Sequence, residues 1–345
     1  MRGVVFQGPE RVEVAAVPDP RVVEPTDAVI AVTRAGLCGS DLHPWTGAEP
    51  AAAGVVCGHE AVGRVVAVGP EVRTVAPGDA VIACFTTSCG RCGPCREGLT
   101  ARCVHGQLLG WGPPGRPADG LHGAQAQLLR VPLADGTLVH RPGDISDDAA
   151  VLLADNAPTA WYAARRAEVA NGARVGVIGL GAVGLCAVAS CLALGASDVV
   201  AVDPVPSRRA AADRLGASTR APDDEGLVAA ELDAVIDAAG PPSAQQLAAA
   251  MVRPGGIVSI IAVQTAEAFG ISPVTAYDRN LTIRAGRAPV RAMLEEVLPA
   301  IAAGSLRLPV EEVVTHPGLP LTDAPDAYAR FAAREDGMVK VTFAP

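Results

Sequence analysis

One stretch restricts the possible folds more than any other. Arg174-Val175-Gly176-Val177-Ile178 reads as a strand that runs into Gly179-Leu180-Gly181-Ala182-Val183-Gly184 and then into an apolar helix ending near Gly195. Val199-Val200-Ala201-Val202-Asp203 supplies a second strand. A strand, a G-x-G-x-x-G turn, a helix and another strand open a doubly wound parallel sheet that holds a dinucleotide at its carboxyl edge. Gly179 permits the tight turn, and Gly181 lets a pyrophosphate approach the backbone where Ala182 and Val183 begin the helix. Gly184 lets helix and strand pack closely. Asp203 lies about 20 residues beyond the glycines, where a carboxylate accepts from the adenosine ribose hydroxyls and repels a 2′-phosphate. NAD is therefore expected over NADP. Arg208 and Arg209 temper that preference, since a guanidinium can receive such a phosphate.

The alternation continues downstream with a helix over 207–215, a strand over 234–237, a helix from 243 and a strand over 256–261. This predicts an α/β domain of the Rossmann type. Upstream the periodicity differs. Arg11-Val12-Glu13-Val14, Ala28-Val29-Ile30-Ala31-Val32, the run over 61–69 and the run over 77–82 alternate or cluster apolar residues between prolines and glycines, as short antiparallel strands do. A β-rich, barrel-like N-terminal domain follows. Residues 144–166 read as one helical stretch, 311–315 as strand-like and 338–343 as a last strand. With 345 residues the chain exceeds what one core usually organises. The expected division is 1–152, 153–288 and a C-terminal return over 289–345 to the first domain.

Nine cysteines are present, and their spacing matters more than their number. Cys89, Cys92, Cys95 and Cys103 form C-x2-C-x2-C-x7-C. Gly90, Gly93 and Pro94 between the sulfurs let four thiolates converge on a zinc ion, which would then be coordinatively closed and structural. An iron–sulfur cluster or unrelated buried thiols are the alternatives, and a zinc-ribbon nucleic-acid module disagrees with the chain's acidity.

A second constellation is reactive rather than closed. Cys38-Gly39-Ser40-Asp41-Leu42-His43, followed by Gly58-His59-Glu60, gathers a thiol, a hydroxyl, two imidazoles and two carboxylates. Cys38 and His59 can hold a zinc ion whose open position takes an alcohol or aldehyde oxygen. Ser40 as a helix N-cap and His43 as a surface residue are the plain readings. Asp155 stands in an apolar neighbourhood and needs a cation or a cap as partner. Trp45 and Trp111 either line a substrate entrance or cover the core.

Composition excludes several partners. The formal charge is −9 with no long basic run, which argues against nucleic acid and against an anionic membrane. Residues 175–197 carry no charge, but their glycines fit a strand, turn and buried helix better than a bilayer span. The early charges Arg2, Glu10 and Arg11 leave no signal-peptide core, so a cytoplasmic protein is expected.

Jointly, in this order, these motifs resemble those of the zinc-dependent medium-chain alcohol dehydrogenases over essentially the whole chain. The segment Leu153-Ala154-Asp155-Asn156-Ala157-Pro158-Thr159 looks most like the branch with bacterial secondary-alcohol and formaldehyde dehydrogenases. The resemblance implies a GroES-like catalytic domain beside the Rossmann domain, one catalytic and one structural zinc, and a dimer or tetramer. It implies Cys38, His59 and Asp155 as catalytic zinc ligands, with Glu60 a carboxylate that can approach the metal. Ser40 and His43 fall where that family has its proton relay. Thr159 matches a residue beside the nicotinamide, Arg208 a cation at the ribose and Lys340 a cation near the pyrophosphate. Many relatives have Cys in place of Asp155. Cys57 competes for that role, although on an extended segment it would point the same way as His59 and crowd the ion. The expected reaction is hydride transfer between an alcohol, or its aldehyde or ketone, and NAD. An aldehyde-directed enzyme that keeps NAD bound is the rival.

Overall fold

Short alternating runs build the antiparallel part of the chain. The computed structural model describes residues 1–112, 120–228 and 230–345. They separate into two units: Met1–Asp155, Pro289–Leu294 and Val314–Pro345 form the first, Asn156–Ala288 and Glu295–Val313 the second. Of the glycine- and proline-rich stretch around Trp111, residues 113–119 lie outside the described residues.

In the first unit β1 (Arg2–Gly8) pairs antiparallel with β2 (Arg11–Ala16). There follow β3 (Ala28–Leu37), β4 (Ala61–Val68), β5 (Ala80–Ala83), β6 (Leu128–Val131) and β7 (Leu138–His140). The second unit contains β8 (Arg174–Ile178), β9 (Asp198–Val202), β10 (Ser218–Arg220), β11 (Leu232–Asp237), β12 (Val252–Ile260) and β13 (Thr282–Ala285). Finally β14 (Val314–Pro320) and β15 (Lys340–Ala344) belong to the first unit again.

The first unit's main sheet has the order β14-β15-β3-β4-β5-β7, and β6 also pairs with β3. Ile30, Val65, Val81 and Leu129 bury their apolar sides in one cluster behind it. In the second unit the order is β10-β9-β8-β11-β12-β13 and every pairing is parallel. Val175, Val177, Val235 and Ile236 on its two central strands are fully buried, as expected where helices cover both faces. The strand order reverses between β8 and β11, which is where an open parallel sheet leaves a crevice for a ligand.

Two sequence expectations change. The helical stretch over 144–166 is two helices, Asp147–Ala154 and Asn156–Arg166, interrupted at Asp155 with φ −152° and ψ −68°. Pro158 explains the interruption: its ring would clash with the carbonyl of Ala154 in a continuous helix, whereas it is tolerated in the first turn of a new one. Ser146 caps the first helix by accepting from Ala149 N at 3.3 Å. Residues 310–313 form a helical turn after Pro309 before β14 begins, so the strand-like reading over 311–315 holds only for its end. The uncharged stretch over 175–197 resolves into β8, the glycine turn and the helix Ala182–Ala193. Among the described residues no helix is long and apolar enough to cross a membrane.

Candidate metal centre and dinucleotide site

Strand β3 delivers Cys38 to the first turn of a short 3-10 helix, Gly39–Asp41. Gly58, at φ +89°, bends the chain so that His59 and Glu60 lead into β4. The break between the two helices brings Asp155 to the same place. One ligand atom each from Cys38, His59, Glu60 and Asp155 lies within 4.8 Å of the others. Asp155 Oδ2 is 3.6 Å from Cys38 Sγ and 3.5 Å from His59 Nε2. A tetrahedral zinc ion with bonds of about 2.0–2.3 Å needs ligand separations of about 3.3–3.8 Å, so these donors fit it in kind and spacing. Cys57 is outside this cluster. It is buried against Trp45 and Tyr328, and burial pushes its thiol up to about 12.

The sequence reading gave no role to Asp41, although it named the residue. Its Oδ1 lies 3.1 Å from His59 Nδ1 and its Oδ2 accepts from Cys38 N at 2.9 Å. The imidazole thus donates from Nδ1 and presents Nε2 to the cluster. Protons are held tightly here. Burial first, then Glu60 and Asp155, raise the Cys38 thiol above its ordinary range. Burial works to lower His59, yet Asp41, Asp155 and Cys38 carry it well above its usual value. Such a donor set exchanges its protons for a metal cation.

Glu60 is fully buried and forms an ion pair with Lys340 Nζ, which comes from β15 and is also fully buried. Gly36 makes this possible, because a Cβ there would lie 1.7 Å from Glu60 Oε2. Lys340, expected as a cation near the pyrophosphate, is thus enclosed and paired with Glu60. Ser40 Oγ is 3.3 Å from His59 Nε2, beside the cluster. His43 is half-buried with Nδ1 enclosed and without a hydrogen-bond partner among the described residues. Burial lowers its pKa, against the pull of Glu49 and Asp41.

Of the two readings open for Trp45, the structure supports the core one. It is buried in the core and packs against Tyr328 with ring centroids 5.4 Å apart. Trp111 pairs through its backbone with Leu121, and its Nε1 is buried without a partner among the described residues.

Cys89, Cys92, Cys95 and Cys103 form a second group of ligand atoms within 4.8 Å of one another, and none of the nine cysteines is in a disulfide. Backbone N–H groups of Val104 and Cys95 lower Cys92 to about 6, whereas burial raises Cys95 to about 12 and Cys103 above its ordinary range.

In the second unit the turn after β8 has Gly179 at φ +89° and Gly181 as N-cap of the helix Ala182–Ala193. A Cβ on Gly184 would lie 1.7 Å from Gly179 O, whereas one on Gly181 would meet nothing within 4 Å. Gly184 therefore serves packing and Gly181 leaves an open backbone face, with Ala182 and Val183 in the first helical turn. Asp203 directly follows β9. Its Oδ2 accepts from Leu180 N and its Oδ1 from Val205 N, both at 2.8 Å. The carboxylate thus pins the glycine turn, a task the sequence did not disclose. Arg208 Nη1 is 3.9 Å from Asp203 Oδ2, and Arg209 donates to Asp203 O. Thr159 is buried on the helix Asn156–Arg166.

A parallel sheet with a glycine-turn helix N-terminus, in one chain with a β unit carrying a Cys-His-Glu-Asp cluster and a four-cysteine cluster, defines a metal-dependent dehydrogenase architecture. Family models described as Alcohol dehydrogenase GroES-like domain and Zinc-binding dehydrogenase match residues 24–142 and 182–303. A protein described as "probable zinc-binding alcohol dehydrogenase" from Mycobacterium tuberculosis is 41% identical, covering 100% of this chain and 89% of its own length. The glutathione-independent formaldehyde dehydrogenase of Pseudomonas aeruginosa is 31% identical over 96% of this chain and 95% of its own. The solved alcohol dehydrogenase TADH from Thermus sp. ATN1 superposes with a TM-score of 0.92 at 38% identity, covering 100% of this chain and 99% of that one. The chain belongs to the zinc-dependent medium-chain dehydrogenase family and is a zinc-type oxidoreductase.

Proposed function

We propose that the protein oxidises a small alcohol, or reduces the corresponding aldehyde or ketone, with NAD as hydride partner. The observation that carries this reading is the convergence of Cys38, His59 and Asp155, with Asp155 Oδ2 at 3.6 Å and 3.5 Å from the other two donors. These three would hold the catalytic zinc, with Glu60 behind them. Cys89, Cys92, Cys95 and Cys103 would hold a structural one. When bound, zinc supplies Lewis acidity toward the alcohol oxygen and NAD accepts the hydride leaving the carbon.

The chain's own residues then manage the proton. Oxidation of an alcohol releases one hydride and one proton, and Ser40, whose Oγ lies 3.3 Å from His59 Nε2, would receive the proton from the substrate hydroxyl. His43, whose burial lowers its pKa, would pass it on, through a ribose hydroxyl, to solvent. Gly179, Gly181, Ala182, Val183 and Gly184 would cradle the pyrophosphate, Thr159 would stand beside the nicotinamide, and Asp203 with Arg208 would bind the adenosine ribose. The anionic Asp203 disfavours NADP. The reading includes a cytoplasmic homo-oligomer and no nucleic-acid or membrane partner.

Metal analysis together with an alcohol panel followed by NADH absorbance tests this. Two zinc per chain and NAD-dependent turnover that His59→Ala abolishes, with NAD binding retained, are the expected results. Full turnover in His59→Ala would remove the metal role. The 31% identity to a formaldehyde dehydrogenase favours one second reading, an aldehyde enzyme that keeps its NAD through the cycle. NAD that survives gel filtration would select it over an enzyme with freely exchanging cofactor.

A further inference from the structure

We infer that Gln125 is a positioning residue that holds the two arms of the metal cluster in register, an inference that rests on the zinc reading above. Gln125 is fully buried and lies between the helix of the C-terminal return and the cluster. Its Nε2 donates to Gly36 O at 3.0 Å, two residues before Cys38. Its backbone N donates to Cys57 O at 2.9 Å, two residues before His59, and its side chain lies across Gly58, where a Cβ would be 2.5 Å from Gln125 Cγ. One residue therefore touches the segment that delivers the thiol and the segment that delivers the imidazole.

The amide is itself held. Tyr328 OH donates to Gln125 Oε1 at 2.9 Å, and Tyr328 is buried on the helix Ala324–Ala332. The Gly36 carbonyl fixes which end of the amide is which, because reversing it would face oxygen with oxygen. Each end of the amide then has a protein partner, so the side chain has one orientation, and β3 and the Gly58 bend share that orientation. No catalytic motif contains Gln125. Its side chain reaches the cluster's segments through the Gly36 carbonyl and the bend at Gly58.

A glutamate side chain at this position would be nearly isosteric but would set a carboxylate oxygen against the Gly36 carbonyl. The test follows zinc release from the holoenzyme to a chromophoric chelator for the wild type, Gln125→Glu, Gln125→Ala and Tyr328→Phe. One zinc should leave about tenfold faster or more in both Gln125 variants, while the four-thiolate zinc leaves at its wild-type rate and serves as the internal reference. Tyr328→Phe should accelerate the same zinc by less, since it loosens the amide without removing it. Equal acceleration of both zincs, or wild-type release of both in well-folded variants, would overturn the inference and leave the zinc reading standing. A wild type without a chelator-accessible zinc outside the four-thiolate lobe would overturn both. Should Gln125→Ala fail to fold, Gln125→Glu and Tyr328→Phe decide the matter by the same rates.

Discussion

Asp41 Oδ1 lies 3.1 Å from His59 Nδ1 while its other oxygen accepts from Cys38 N. One carboxylate thus orients the imidazole and anchors the backbone of the thiol. Asp41→Ala should lower zinc affinity at this cluster by about 10–100-fold and spare the four-thiolate lobe. Competition with a zinc indicator measures both, and unaltered affinity would show that His59 needs no such orientation.

The Glu60 and Lys340 pair is completely enclosed. Removing one partner leaves a buried charge, so Lys340→Met should cost about 3–5 kcal/mol in denaturant unfolding, and Glu60→Gln in that background should recover much of it. Burial alone would lower the Lys340 pKa, but Glu60 and Cys38 raise it above its ordinary value. Its contribution is therefore fully present below the unfolded lysine pKa of about 10.4 and is lost as pH rises through the higher folded value. An additive double variant would contradict the pairing.

Asp135 accepts from Arg73 N at 2.9 Å and from Thr74 N and Thr74 Oγ1 at 2.9 and 2.8 Å. Burial acts to raise its pKa, but these donors hold it below the usual carboxylate range. The site is largely solvated, so Asp135→Asn should cost only about 1 kcal/mol at neutral pH. Because the folded pKa is depressed, that difference persists above the unfolded value of about 3.9 and shrinks as pH falls through the folded one. Urea unfolding at neutral and acidic pH checks the sign; a gap that widens in acid would refute it.

For Asp203 two effects should appear together. On the proposed NAD reading, Asp203→Gly would remove a carboxylate that disfavours a 2′-phosphate, and it removes the acceptor of Leu180 N. Selectivity should shift toward NADP, yet affinity for both dinucleotides should drop because the glycine turn loses a charged hydrogen-bond partner worth about 1.5–3 kcal/mol. Titration with each cofactor separates the two, and an NADP gain without any loss for NAD would mean that the turn holds itself.

What the sequence disclosed was whatever repeats at short range. The spacing of Cys89, Cys92, Cys95 and Cys103, the glycines from 179 to 184 and the change from period-two runs to strand-helix alternation are local patterns, and each stands where it was read. Asp155 entered through family resemblance, since nothing local says that Pro158 breaks the helix beside it. Asp41 was visible in the motif, but its partners, His59 Nδ1 and Cys38 N, are set by a fold that brings the two segments together. The Glu60 partner of Lys340 and the Gly36 partner of Gln125 lie 280 and 89 positions away, and pairings at that range leave no periodic trace.

The enclosed ammonium of Lys340 has a consequence for synthesis. The ribosome releases Glu60 with the N-terminal strands, but its counter-charge emerges 280 residues later, on β15. Until then the nascent chain can assemble β3 and β4 only around a carboxylate that is solvated or protonated, so final closure of this hydrophobic interior is postponed to the end of translation.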